Sequence, residues 1–349
     1  MSTRLLCSLL LLVVSAPVVA DDQGKTISRK IDGLMAPLSK GGFSGCVLVE
    51  QEGKVIHRKG YGITDLKSKT RIAPTMRFDI GSITKPMVSL AVLELAKQRT
   101  LTLDTPISKV LKNVPQDKQN ITIEQLLSHT GGISKNYEFS GNVNDRDAVV
   151  AELLKIKLDA SPGEKHVYSN ANYFLLAAII DAVDNRGYDE TIRQLVFTPL
   201  KMTTATFSSD PPLKDEKVPA RFESRAPLGP MVPWPHGWAH RGATGVVCSV
   251  DDLLAFSRAL DEKSPIAKNE RDEWLKVRKE SAALGWSVIS KPGRPTAVIH
   301  GGASPGAKGL LVCYPEKKVT VVVLSNHVTP GKLDEWTIAN SVRDWLFGQ

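Results

Sequence analysis

Apolar residues recur along this chain with two different periods. Near the start, Ile27, Ile31, Leu34, Met35 and Leu38 fall at helical spacing and predict an amphipathic helix. The alternating runs "CVLVE" and "VIHRKGYG" follow, separated by the turn-forming "QEGK", and read as a hairpin. A matching pair, "KGLLVCY" and "VTVVVLSN" around "PEKK", lies near the other end, followed by a helical stripe of Leu333, Trp336, Ala339, Val342 and Leu346. Short-turned strands at both ends predict one antiparallel sheet built from the N- and C-terminal segments and flanked by helices. Between about Ser82 and Pro235 helical stretches dominate, among them "IEQLLSH", "AVVAELLKI", "NYFLLAAIIDAVD" and "YDETIRQLVF". The stretch "APLGPMVPWPHGW", with four prolines, reads as a loop crossing back to the sheet, and its Trp234 and Trp238 either roof a cleft or pack beneath it. The expected fold is therefore α/β of the α+β type. Residues 21–81 and 236–349 form a sheet domain, residues 82–235 an inserted, mostly helical region, and a cleft lies at their junction.

The first twenty residues carry a third pattern. Arg4 precedes an apolar run, Leu5 to Val14, and Val18-Val19-Ala20 offers a cleavage site. The run is too short to span a bilayer. Residues 1–20 are thus expected to be an export signal, placing a mature chain of 329 residues in the periplasm or outside the cell without a stable membrane anchor. That length suffices for a sizeable core. Cys7 lies inside the apolar run rather than behind it, which gives lipid attachment no support.

Net charge falls from +8 to +7 on removal of the signal. The excess is dispersed: Lys263 to Lys279 interleaves acids with bases and reads as a solvated face. No basic stripe with interleaved aromatics occurs, so no nucleic-acid partner is expected. Cys46, Cys248 and Cys313 sit in apolar, strand-like runs and are read as buried thiols, with a single disulfide among them left open. No two cysteines or histidines show ligand spacing, so no metal or other cofactor is expected. The sequence does not indicate an oligomeric state.

One place calls for chemistry. In "DIGSITKPMVSLAVLELAKQ" a lysine stands three residues after a serine at the mouth of an apolar helix. Pro86 is tolerated only in the first turn of a helix, so Ser82 lies at the N-terminus, where free N–H groups and the positive dipole end favour developing negative charge. Residues three apart share a face, which brings the Lys85 amine to the Ser82 hydroxyl. A lysine with its ordinary pKa near 10.4 is a poor base, but burial lowers it, and a neutral amine could take the serine proton. Alone, this pattern is equally that of an N-cap serine and a snorkelling lysine.

With its neighbours, however, "GSITKPMVSLAVLELAKQRTLTLDTPISKVL" resembles the nucleophile segment of class C β-lactamase-like serine hydrolases, which include D-Ala-D-Ala peptidases, D-aminopeptidases, esterases and β-lactamases. The resemblance continues in order through "ITIEQLLSHTGGI", "SPGEKHVYSNANYFLLAAIID", "GWAHRGATGVVCSVDDLLAFSRAL" and "IHGGASPGAKGLLVCYPEKKVTVVVLSN". It implies that Tyr168 of Tyr168-Ser169-Asn170 is a catalytic acid or base and that Asn170 orients the substrate. His166 is left as structural. H-x-G occurs three times, starting at His129, His240 and His300; only the last leads into the closing hairpin. His300, Gly301 and Gly302 are therefore the third motif, and the resemblance makes the N–H groups of Ser82 and Ala303 an oxyanion hole. Where family β-lactamases typically carry lysine, His300 is titratable, and Ala307 and Lys308 depart from the usual aromatic and small polar residues.

These residues imply acyl transfer: Ser82 attacks, Lys85 or Tyr168 moves the proton, and water clears the acyl group. The expected substrate is a small molecule or peptide, namely a D-amino-acid peptide, a peptidoglycan-related amide or a small ester. A class C-like β-lactamase and a catalytically inactive module binding penicillin or peptidoglycan fragments are the rival readings.

Overall fold

The computed structural model describes residues 19–65, 69–137, 144–210, 218–223, 226–230, 237–328 and 335–348. Most of the expected signal therefore lies outside the described residues; Val19 and Ala20 head the first helix, α1 (Val19–Lys40). No helix among the described residues is long and apolar enough to cross a membrane.

The two terminal segments do meet in one antiparallel sheet. Its strands are β1 (Gly45–Gln51), β2 (Lys54–Tyr61), β3 (Ser287–Ile289), β4 (Ala297–Ser304), β5 (Ala307–Tyr314) and β6 (Val319–Ser325), in the order β2-β1-β6-β5-β4-β3. The closure runs through β1 and β6, paired from Gly45 opposite Ser325 to Gln51 opposite Val319. Glu52 and Gly53 of the first turn both have positive φ, as a tight hairpin matching the strand twist requires.

Alternation along the strands divides the core into two. Val47, Val49, Val321 and Val323 face outward under α1 and the last helix, α4 (Glu335–Phe347), which contribute Ile27, Ile31, Met35, Ile338 and Val342. Cys46, Leu48, Val322 and Leu324 face inward against a large helical layer. At its centre are α2 (Thr84–Lys97) and α3 (Asn170–Val183). Ala171 to Ile180 of α3 are all buried, which explains why that stretch is apolar around its whole circumference.

The helical layer reaches beyond the inserted region. Val250–Ser257, capped by reciprocal bonds between Ser249 and Asp252, packs on the inner face of the sheet. The proline-rich stretch is not simply a loop: Ala226–Pro230 is an edge strand paired antiparallel with Ala220–Glu223. Its outer side needs no ladder donors, so prolines are tolerated there. Residues 231–236, Trp234 among them, lie outside the described residues, while Trp238 is half-buried against the inner core. Cys46, Cys248 and Cys313 are all buried and free.

Candidate active site

Ser82 occupies a single 3-10 turn, Gly81–Ile83, which runs directly into α2, with Pro86 in that helix's first turn. The Lys85 Nζ lies 2.8 Å from Ser82 Oγ and donates to the Ala243 carbonyl at 2.9 Å. Lys85 is wholly buried, and desolvation drives its pKa well below the ordinary value. The rings of Tyr168 and Tyr173, centred 5.1 and 5.6 Å from Nζ, favour an ammonium group, as does the carbonyl. Desolvation outweighs them because no carboxylate pairs with Lys85 among the described residues. Burial thus shifts the amine toward its neutral form, whose lone pair the Ser82 hydroxyl can engage.

Tyr168 hydrogen-bonds Ser82 from the other side, yet burial raises the phenol's pKa overall. Tyr168 leaves 42% of its surface exposed, while its hydroxyl end is desolvated.

β4 passes alongside the nucleophile turn at a distance only glycine allows. A Cβ on Gly302 would stand 1.9 Å from the Ile80 carbonyl and 3.1 Å from the Ser82 nitrogen. One on Gly81, whose φ is +52°, would stand 2.6 Å from the Ala303 nitrogen. The Ser82 and Ala303 amides thus flank a single backbone contact. Gly301 behaves differently. A Cβ there would make only ordinary contacts, with Leu310 and Trp336 at 3.8 Å and the Gly309 carbonyl at 3.9 Å. Only its carbonyl joins the site, 2.8 Å from His300 Nδ1.

That contact assigns the imidazole. A carbonyl can only accept, so Nδ1 carries the proton and Nε2 presents a lone pair. Burial above all lowers the His300 pKa to about 3. His300 is therefore a neutral ring at neutral pH. Asn170 is the first residue of α3, and its buried Oδ1 accepts no hydrogen bond among the described residues. Ser169 is the N-cap residue of this helix, and its hydroxyl donates to the Ser134 carbonyl rather than capping the helix. Lys308, which departs from the family pattern, is half-buried on β5 opposite Ala303.

Four contributions escaped sequence reasoning. His129, which opens the first H-x-G, is buried with its ring 4.3 Å from that of Tyr168. Its Nδ1 accepts from Ser169 N–H at 3.3 Å and Asn172 Nδ2 at 3.1 Å, which leaves the proton on an unpartnered Nε2. The second H-x-G supplies the Ala243 carbonyl, and Tyr173 supplies a second ring beside Lys85. The fourth is Asp79, a buried carboxylate directly before the nucleophile turn. A polar residue inside an apolar stretch was the available signal for Asp79; nothing in the pattern located the others.

A protein-family model described as Beta-lactamase matches residues 27–341. The chain belongs to the Beta-lactamase family. The putative penicillin-binding protein PbpX of Bacillus subtilis (strain 168) is 28% identical over 316 residues, covering 88% of this chain and 76% of that protein. Protein flp of Staphylococcus aureus (strain COL) is 36% identical over 322 residues, covering 83% of this chain but 61% of the relative, so the chain spans less than two thirds of its length. Among solved structures, an octameric penicillin-binding protein homologue from Pyrococcus abyssi has a TM-score of 0.79 at 23% identity, covering 92% of this chain and 77% of that one. A beta-lactamase/D-alanine carboxypeptidase from Yersinia pestis, complexed with citrate, has a TM-score of 0.76 at 20% identity, covering 92% and 98%. The Beta-lactamase fold and family, generally serine hydrolases, are thus those the motifs indicated.

Proposed function

We propose that this chain is a serine hydrolase that works through a covalent acyl-enzyme on Ser82. The observation that carries the reading is a serine hydroxyl 2.8 Å from a wholly buried lysine amine, whose pKa desolvation lowers well below its ordinary value. In the first step Ser82 Oγ bonds to the substrate carbonyl carbon while its proton passes to Lys85. The resulting oxyanion is held by the Ser82 and Ala303 N–H groups; one such donor is worth roughly 10²–10³ in rate. The bond to the leaving group then breaks, and the proton held by Lys85 reaches that group through the Tyr168 hydroxyl. Water repeats the sequence with Lys85 as base and releases the acid. The raised phenol pKa supports Lys85 rather than Tyr168 as base, with Tyr168 as relay.

His300 bears on the substrate. A neutral ring offering a lone pair suits an N–H donor or an uncharged ester better than a permanent carboxylate. The unengaged Asn170 carbonyl offers a second acceptor, suited to an amide N–H. This favours an ester or D-amino-acid amide over a β-lactam bearing a carboxylate at that corner. An exported location belongs to the same proposal and rests on residues 1–20.

Intact mass spectrometry after exposure to p-nitrophenyl esters, D-amino-acid amides, D-Ala-D-Ala peptides and penicillins tests it. A transient acyl adduct on Ser82 with esters or uncharged amides is expected. Persistent adducts from penicillins with fast turnover of cephalosporins would favour the β-lactamase reading. Well-folded protein that binds these compounds and forms no adduct would favour an inactive binding module.

A further inference from the structure

Asp79 and Ser304 lie outside every motif that the mechanism uses, yet they join its two halves. Asp79 Oδ1 accepts from the Gly81 N–H at 2.8 Å, and Asp79 Oδ2 accepts from the Ser304 hydroxyl at 2.8 Å. Gly81 immediately precedes Ser82, and Ser304 immediately follows Ala303. One carboxylate therefore ties the residue before the first oxyanion donor to the residue after the second. Asp79 and Ser304 themselves are 225 positions apart in the chain.

The need for such a tie is visible in the strand. Ser304 is the last residue of β4, opposite Ala307, and Pro305 and Gly306 turn the chain directly afterwards. Pro305 contributes no N–H, and strand ends fray unless held. On the other side the nucleophile turn approaches β4 through Gly81 and Gly302, which have no side chains to set the spacing by packing. Two hydrogen bonds to a charged acceptor, each stronger than a neutral pair, supply what side-chain packing cannot. Asp79 is almost wholly buried, which shields both bonds from water.

We propose that Asp79 and Ser304 form a clip that sets the separation of the Ser82 and Ala303 amides, so that both are positioning residues for the oxyanion. The inference rests on the acyl-enzyme reading and deepens it. A loosened clip leaves substrate binding and the Ser82–Lys85 pair in place and weakens only what is formed in the transition state.

The test is steady-state hydrolysis of a p-nitrophenyl ester by the full chain, with competent enzyme counted by fluorophosphonate titration of Ser82. S304A, which removes one arm while leaving the Gly81 bond, is expected to lower kcat 10- to 100-fold with KM unchanged within twofold. S304T restores the hydroxyl and is expected to recover most of the loss. D79A should lose at least as much as S304A, and the double variant should be no worse than D79A because both changes open the same clip. Should D79A not fold, S304A and S304T alone decide the matter. Wild-type kcat per titrated site in S304A, or a loss confined to KM, would overturn the clip. Turnover retained in S82A would overturn the acyl-enzyme reading itself, and the two failures are therefore distinct.

Discussion

Among the described residues, Ser28 and Ser82 each hydrogen-bond to a buried nitrogen base, and only Ser82 has the surroundings proposed for a nucleophile. On the outer face of the sheet, Ser28 of α1 donates to His57 Nδ1 at 2.9 Å. His57 Nε2 lies 2.8 Å from the Tyr61 hydroxyl, which donates to Asp32 at 2.7 Å, and Lys59 also bonds Asp32, at 2.8 Å. Following the donors fixes the chain as serine to histidine to tyrosine to aspartate, so the base accepts the serine proton much as Lys85 would. Burial lowers the His57 pKa to about 4, as it depresses that of Lys85. The difference is the backbone. Ser28 sits well inside α1, where the amide groups are spent on the helix itself. Ser82 sits before the first full turn of α2, and β4 brings a second amide alongside. A base beside a serine is common polar packing. What distinguishes a nucleophile is free N–H groups where the negative charge will develop.

The sharpest way to break this contrast is to delete each hydroxyl. S82A should lose at least about 10⁴-fold in ester kcat/KM, while S28A should stay within twofold and lose about 1 kcal/mol of stability. Activity in S82A, or its loss in S28A, would reverse the assignment.

Next in size is the base. K85R puts a permanent cation, which cannot deprotonate, in place of the amine, and at least about 10³-fold loss is expected in single-turnover acylation. In the wild type, kcat/KM should rise with pH as Lys85 loses its proton, with an acid limb well below 10.5. His300, lowered to about 3, should contribute no limb near neutrality. A limb near 6.5 that disappears in a His300→Asn variant would show a charged imidazole instead.

Two adjacent glycines offer a finer comparison. G302A forces β4 off the Ile80 carbonyl and should cost about 10²–10³ in kcat, the worth of one oxyanion donor. G301A meets only ordinary van der Waals contact and should stay within threefold. Equal losses would show that β4 matters for stability rather than for aiming an amide.

The smallest effect is on acid stability. A His57 held neutral to about 4 binds its proton less readily than the unfolded chain, whose histidines titrate near 6.5. The unfolded state then carries more protons between these values, so stability is lost as pH falls from about 6.5 to 4, by on the order of 2–3 kcal/mol. Urea midpoints for wild type and His57→Asn over that range check the sign. Wild type should show the steeper fall.

The sheet was legible because its signals are local. Period-two alternation in "VTVVVLSN", the "QEGK" turn and the helical stripe from Ile27 to Leu38 each depend on residues a few positions apart. The Ser82–Lys85 pair was legible for the same reason, since one helical step joins them and Pro86 marks where the helix starts. The edge strand Ala226–Pro230 was obscured because its prolines carry the usual mark of a loop, and only an unpaired outer edge tolerates them. His129 was obscured by a motif that occurs three times, with nothing in the pattern to show that its ring would lie beside Tyr168.

By itself, then, the sequence determined the elements, the two-ended sheet and the nucleophile with its neighbouring amine, because periodicity, turn chemistry and helix caps act over a few residues. Tertiary structure decided the protonation states and the aim. Lys85 and His300 have lowered pKa values because other segments bury them, and the Ser82 and Ala303 amides come close because Gly81 and Gly302 let a strand from the far end of the chain approach the Ser82 turn. Desolvation and close backbone approach are properties of space, shared among residues that the sequence keeps more than two hundred positions apart.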